Sequence, residues 1–117
     1  MRYVLLITAD DANGHQLPPA EEAQAMAGYA AFTEALQSAD AMRGGERLRP
    51  SSTATTVRVR DRETFVTDGP FAETKEHLGG FYILDCESLD EAMKWAAKIP
   101  HASTGTIDIR PVPDFGP

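Results

Sequence analysis

Three carboxylates and one amine fall within a single short stretch: Asp68, Glu73, Lys75 and Glu76. Charges this close shift one another's proton affinity in both directions, so one carboxyl can stay protonated while its neighbour stays ionised. Such a set suits proton transfer on a small substrate, with Asp68 and Glu73 as acid and base and Lys75 binding an anionic group. The same stretch also reads as plain turn chemistry. Asp68 caps a turn, Gly69 takes a backbone conformation other residues avoid, Pro70 stiffens the chain and Phe71 anchors it. At the level of sequence both readings stand.

A second chemical feature is cationic. Between Arg43 and Arg62 six arginines stand against two acids, Glu46 and Asp61, a surplus of four positive charges. The rest of the chain has 5 basic and 16 acidic residues, a deficit of eleven, so the net −7 averages two unlike regions. The basic segment can hold a carboxylate or phosphate, with Arg58 the candidate contact. Arginines on solvent-facing strands equally discourage edge-to-edge pairing. A third use is pairing between two copies, because the first predicted helix carries Glu21, Glu22 and Glu34 and no Lys or Arg. His15, His77 and His101 show no metal-ligand spacing, so neither a metal nor a cofactor is expected. Glu73 and His77 would share a face only if their stretch were helical. Cys86 has no basic neighbour in sequence and reads as a buried, inert thiol.

These residues need elements to position them. Residues 3–8 are apolar on both alternating faces, which predicts a strand covered on both sides. After breakers at 10–19, Pro19 and the acids Glu21 and Glu22 open a helix reaching about Asp40, with Met26, Tyr29, Phe32 or Thr33, and Leu36 as its apolar stripe. A weak strand is expected over 42–48 and a strong one over 54–60, with Val57 and Val59 inward and Arg58 and Arg60 outward. Asp61 and Arg62 turn the chain into a short strand at 64–67, and a loop over 68–78 leads to another strand at 80–86. Ser88 and Glu91 form a capping box for a second helix with Ala92, Trp95 or Ala96, and Ile99 on its inner face, ended by Pro100. The last strand spans 104–112.

The order is the split β-α-β pattern of ferredoxin-like α+β sandwiches with an added central hairpin. The two strands with apolar residues on both faces are the two that this topology places at the sheet centre. Two helices cover one sheet face, so a second copy packed sheet to sheet is the simplest cover for the other, and a homodimer is expected. The 117 residues make one domain, residues 1–112, with a loose tail at 113–117. An apolar content of 42% supports an ordinary core without a staple. The first apolar run is short and meets Asp10 and Asp11, so it reads as neither signal peptide nor membrane span. A single cysteine is compatible with a cytoplasmic setting, and the net acidity argues against direct nucleic-acid binding.

The segment VTDGPFAETKE, from Val66 to Glu76, resembles the signature of the DGPF branch of the YciI-like, or YCII-related, family. GGERL, TATTVRVRD, HLGGFYILD and LDEAMKWAAKIP are similar to that family as well, and together these segments extend the likeness over nearly the whole chain. The resemblance implies a dimeric α/β barrel built on a ferredoxin-like fold. For the wider family a His–Asp pair has been suggested as an active site. Here Tyr29 stands at the His position and Ile99 at the Asp position, so that dyad does not carry over. Some DGPF relatives are associated with alternative sigma factors. Two functions follow as expectations. One is a small-molecule-binding or cofactor-free acid/base protein using Asp68, Glu73, Lys75, Arg58 and Tyr29. The other is a non-enzymatic interaction module linked to transcription initiation.

Overall fold

The computed structural model describes residues 1–10, 18–69 and 76–114. Six strands and two helices follow in the order β1 (Arg2–Asp10), α1 (Pro19–Ser38), β2 (Met42–Arg47), β3 (Thr55–Arg60), β4 (Glu63–Asp68), β5 (Glu76–Asp85), α2 (Leu89–Ala96) and β6 (Thr106–Pro111). Short 3-10 turns at Ser51–Thr53 and Pro100–Ser103 join them. Four strands form one antiparallel sheet in the order β2-β5-β1-β6, and β3 and β4 pair separately as a hairpin. The parallel pair β1 and β2, joined by α1, has β5 inserted between its members. That is the split β-α-β arrangement, so the small α+β domain is consistent with a ferredoxin-like fold.

The core follows from strand alternation. Tyr3, Leu5 and Ile7 of β1 and Tyr82 and Leu84 of β5 point to the helix side, where Phe32 and Leu36 of α1 and Ala92 and Ala96 of α2 bury them. Phe32 meets Tyr82 and Trp95 edge-on, with centroids 5.1 and 6.1 Å apart. The cap of α2 forms as expected on one side, the Glu91 backbone N–H donating to Ser88 Oγ at 3.2 Å. The return bond differs: Glu91 Oε2 accepts from the Glu87 N–H at 2.8 Å rather than from Ser88. The opposite sheet face presents Val4, Leu6, Phe81 and Ile83, in register as Val4–Ile83 and Leu6–Phe81, and no described element covers it.

Several expectations need correction. β5 starts at Glu76 rather than at 80, extended past a bulge where Gly79 has no partner on β1. His77 therefore lies in a strand, not on a helix face. Met26, expected in the buried stripe of α1, is 54% exposed. Val57 and Val59 do not face a core. They are 58% and 57% exposed, because the β3–β4 hairpin stands apart from the four-stranded sheet instead of joining it. The hairpin turns at Asp61 and Arg62, both with positive φ (50° and 68°), the conformation that a two-residue turn of matching twist demands.

Candidate functional site

One end of the sheet gathers the polar chemistry. The C-terminal ends of β1 and β2 and the N-terminal ends of β5 and β6 all reach it. The turn Pro100–Ser103 leads into β6 there, and the first half of α1 lies above it. Arg47, the last residue of β2, donates from Nη1 to Met26 Sδ at 3.2 Å. Glu76, which begins β5, accepts from Thr106 Oγ1 at 3.4 Å.

Tyr29 and His101 meet across this junction. The phenol oxygen lies 2.5 Å from His101 Nδ1, and the rings are 5.6 Å apart and tilted by 33°. The contact depends on Gly28. A Cβ there would sit 3.1 Å from Pro100 Cγ, so the bare backbone is what lets the turn close on α1 and bring the next residue, His101, within reach of Tyr29. Burial pushes the Tyr29 phenol up to about 12, a His101 backbone hydrogen bond and the Arg47 charge pull the other way, and Tyr82 adds to the rise. Tyr29 is thus neutral across the physiological range, its phenol held against the His101 imidazole. Thr33 Oγ1 and Tyr82 Oη, 3.0 Å apart, tie α1 to the sheet one turn further on.

His101 opens onto a shallow groove of about 260 Å³ lined by Glu21, Gln24, Ala25, Pro100 and Thr104 besides itself. A larger hollow of about 520 Å³ lies at the opposite end of the sheet, along the start of β1 and the residues after β6. Its carboxylates are Asp85 and Asp114, and Asp85 is taken up by the N-terminal ammonium at 3.2 Å and by Arg43 at 3.8 Å. The groove at His101 is the better candidate because the imidazole opens onto it with the Tyr29 phenol hydrogen-bonded to that ring.

A model of the YCII-related domain matches residues 1–116. The chain belongs to the YCII-related domain family. An uncharacterised protein of Rhizobium meliloti (strain 1021) is 38% identical over 119 residues, covering the full chain and 96% of that relative.

Within this YCII-related chain the residues singled out from sequence part company. Tyr29 is at the junction just described. Asp68 and Arg58 lie on the separate hairpin, both exposed, Asp68 opposite Thr55 and Arg58 opposite Phe65. Asp68 closes the β3–β4 ladder: beyond it Gly69 has φ +95°, its N–H donates across to the Ala54 carbonyl at 2.7 Å, and its own carbonyl accepts from Thr56 Oγ1 at 2.7 Å. Glu73 and Lys75 lie outside the described residues. His101, which the sequence offered only as one of three histidines without metal-ligand spacing, is the side chain that the fold brings to Tyr29. Its signal was present, since it follows the helix-ending Pro100 two positions beyond Ile99, where the family's dyad partner would stand. Among the described residues no three His, Cys, Asp or Glu side chains converge on a common point, and no helix is long and apolar enough to cross a membrane. Cys86 is buried, and desolvation, with Glu91 adding, pushes its thiol up, away from reactivity.

Proposed function

We propose that this YCII-related protein, of the DGPF branch, binds a small anionic molecule at the β1–β2–β5–β6 end of the sheet and exchanges a proton with it through the Tyr29–His101 pair. The single observation carrying this reading is the 2.5 Å hydrogen bond between Tyr29 Oη and His101 Nδ1, made between two elements beside an open groove. A neutral phenol beside an imidazole supplies a donor and a base within hydrogen-bond reach of each other. Arg47, close enough to act on the Tyr29 phenol, holds the ligand's negative group in place of Arg58. Asp68, at the end of β4, and Glu73 and Lys75 of the signature segment contribute as well, with Glu73 as second acid/base group and Lys75 as second anion contact. The working unit is a homodimer, a second copy covering Val4, Leu6, Phe81 and Ile83. The reading requires no cofactor and no nucleic acid.

A thermal-shift screen against small carboxylates and phosphorylated metabolites tests this, because a ligand that binds only the folded state raises its stability. A ligand at a hundred times its Kd stabilises by about 2.7 kcal/mol, which is several degrees for a domain of this size. The shift is expected to fall sharply in His101→Asn, Tyr29→Phe and Arg47→Ala and to persist in Arg58→Ala. A shift that survives all three of the first set removes this site. A shift that survives Asp68→Asn removes Asp68 from it.

A further inference from the structure

We infer that the β3–β4 hairpin is an arm that docks onto a second copy of this chain. An isolated two-stranded hairpin is marginally stable in water and needs a surface to pack on. Among the described residues this one shares no extensive contact with the sheet or the helices. Val57, Val59 and Val66 alternate onto one of its faces, Val57 directly opposite Val66, and are 58%, 57% and 64% exposed. Phe65 on the other face is 44% exposed. β-branched residues repeated on one face of a strand pair are the pattern of a face meant to be covered.

Area selects the occupant. The uncovered sheet face spans four strands and six paired residues, roughly 400 Å² in projection at about 4.8 Å per strand and 3.3 Å per residue. A stable interface takes about 800 Å² from each partner. The sheet face alone therefore falls short by about half. One face of the arm, six paired residues on two strands, adds roughly 200 Å². In a two-fold assembly each copy gives its arm and receives its partner's, so that contribution counts twice and closes the difference. The arm's own charges balance, Arg58, Arg60 and Arg62 against Asp61, Glu63 and Asp68, so its docking rests on apolar area.

This inference rests on the homodimer reading above, and the test separates the two. Sedimentation velocity at 1–100 μM, as an order-of-magnitude range in which dimers of this area associate, compares the natural chain with Val57→Ser/Val59→Ser/Val66→Ser and with Leu6→Glu on the sheet face. The natural chain is expected to sediment as a dimer. Both variants are expected to dissociate, with dimer affinity about a hundredfold weaker after the three valine changes, because two arms lose their apolar burial. A valine variant as dimeric as the natural chain overturns the arm while leaving the sheet-to-sheet dimer intact. Loss of the dimer in the valine variant but not in Leu6→Glu upholds the arm and overturns the sheet-to-sheet contact. A natural chain monomeric throughout overturns both. Should the valine variant misfold by circular dichroism, amide exchange of the natural chain decides. Protection of residues 55–68 that rises with protein concentration supports the arm, and protection independent of concentration overturns it.

Discussion

Tyr29 carries the proposed proton exchange, and its environment makes a measurable claim. The phenol is pushed up from its ordinary 10.0 to about 12, chiefly by burial. A raised folded-state value means the neutral form is favoured by folding, so the associated stability is fully present below pH 10 and is lost as pH rises from 10 through 12. Two units correspond to about 2.7 kcal/mol in full, and because the side chain is only half-buried the screened contribution is about 1 kcal/mol. Phenolate absorbance should therefore lose a late-titrating component in Tyr29→Phe, and the variant's stability should fall less steeply between pH 10 and 12. Coincident titration curves for the two proteins would remove the buried Tyr29–His101 contact. Its sequence signal was partial. Tyr29 fell on the apolar face of a predicted helix, but its partner lies 72 positions away, and only the folded chain brings a turn after α2 against α1.

At the scale of elements, the site depends on how closely the turn Pro100–Ser103 approaches α1, and Gly28 sets that distance. Gly28→Leu should part the two elements, destabilise by about 1–3 kcal/mol in the manner of overpacking, and abolish the late phenol titration by wetting Tyr29. Chemical denaturation and the same absorbance titration check both effects, and a variant with the late titration intact would show that Pro100 yields without moving His101. Element types and order were legible because each signal was local: two-faced apolar runs for β1 and β5, Ser88 before α2, Pro100 after it. What could not be read was whether the alternation at Val57 and Val59 meant a core. Alternation records that one face of a strand seeks cover, not which molecule supplies it. The two valines follow the pattern of a half-buried strand and still stand more than half exposed. The same limit explains Met26, which follows the helical spacing of the stripe yet stands 54% exposed, its Sδ meeting Arg47 instead of the core.

The whole molecule is broad and thin, 45 × 45 × 18 Å, with a radius of gyration of 16.2 Å, where a close-packed chain of this length gives about 13 Å. The protruding arm accounts for the excess, and its separateness makes the division of labour testable. Thr55 and Asp68 face each other at its base, and Gly69 is tied to Ala54 by a 2.7 Å backbone hydrogen bond. Replacing residues 56–67 by Asn-Gly therefore joins two strand ends that are already neighbours, with a turn that suits them. The trimmed chain should fold, because the buried core from Tyr3 to Ile99 contains no arm residue. It should be monomeric, with a radius of gyration near 13 Å by small-angle scattering. It should also keep the late Tyr29 titration and the ligand-dependent thermal shift, because neither Tyr29 nor His101 belongs to the arm. A trimmed chain that folds but loses the ligand response would make the arm part of the binding site, so that each site of the dimer would be completed by a hairpin. A trimmed chain that stays dimeric would return the whole of the association to Val4, Leu6, Phe81 and Ile83.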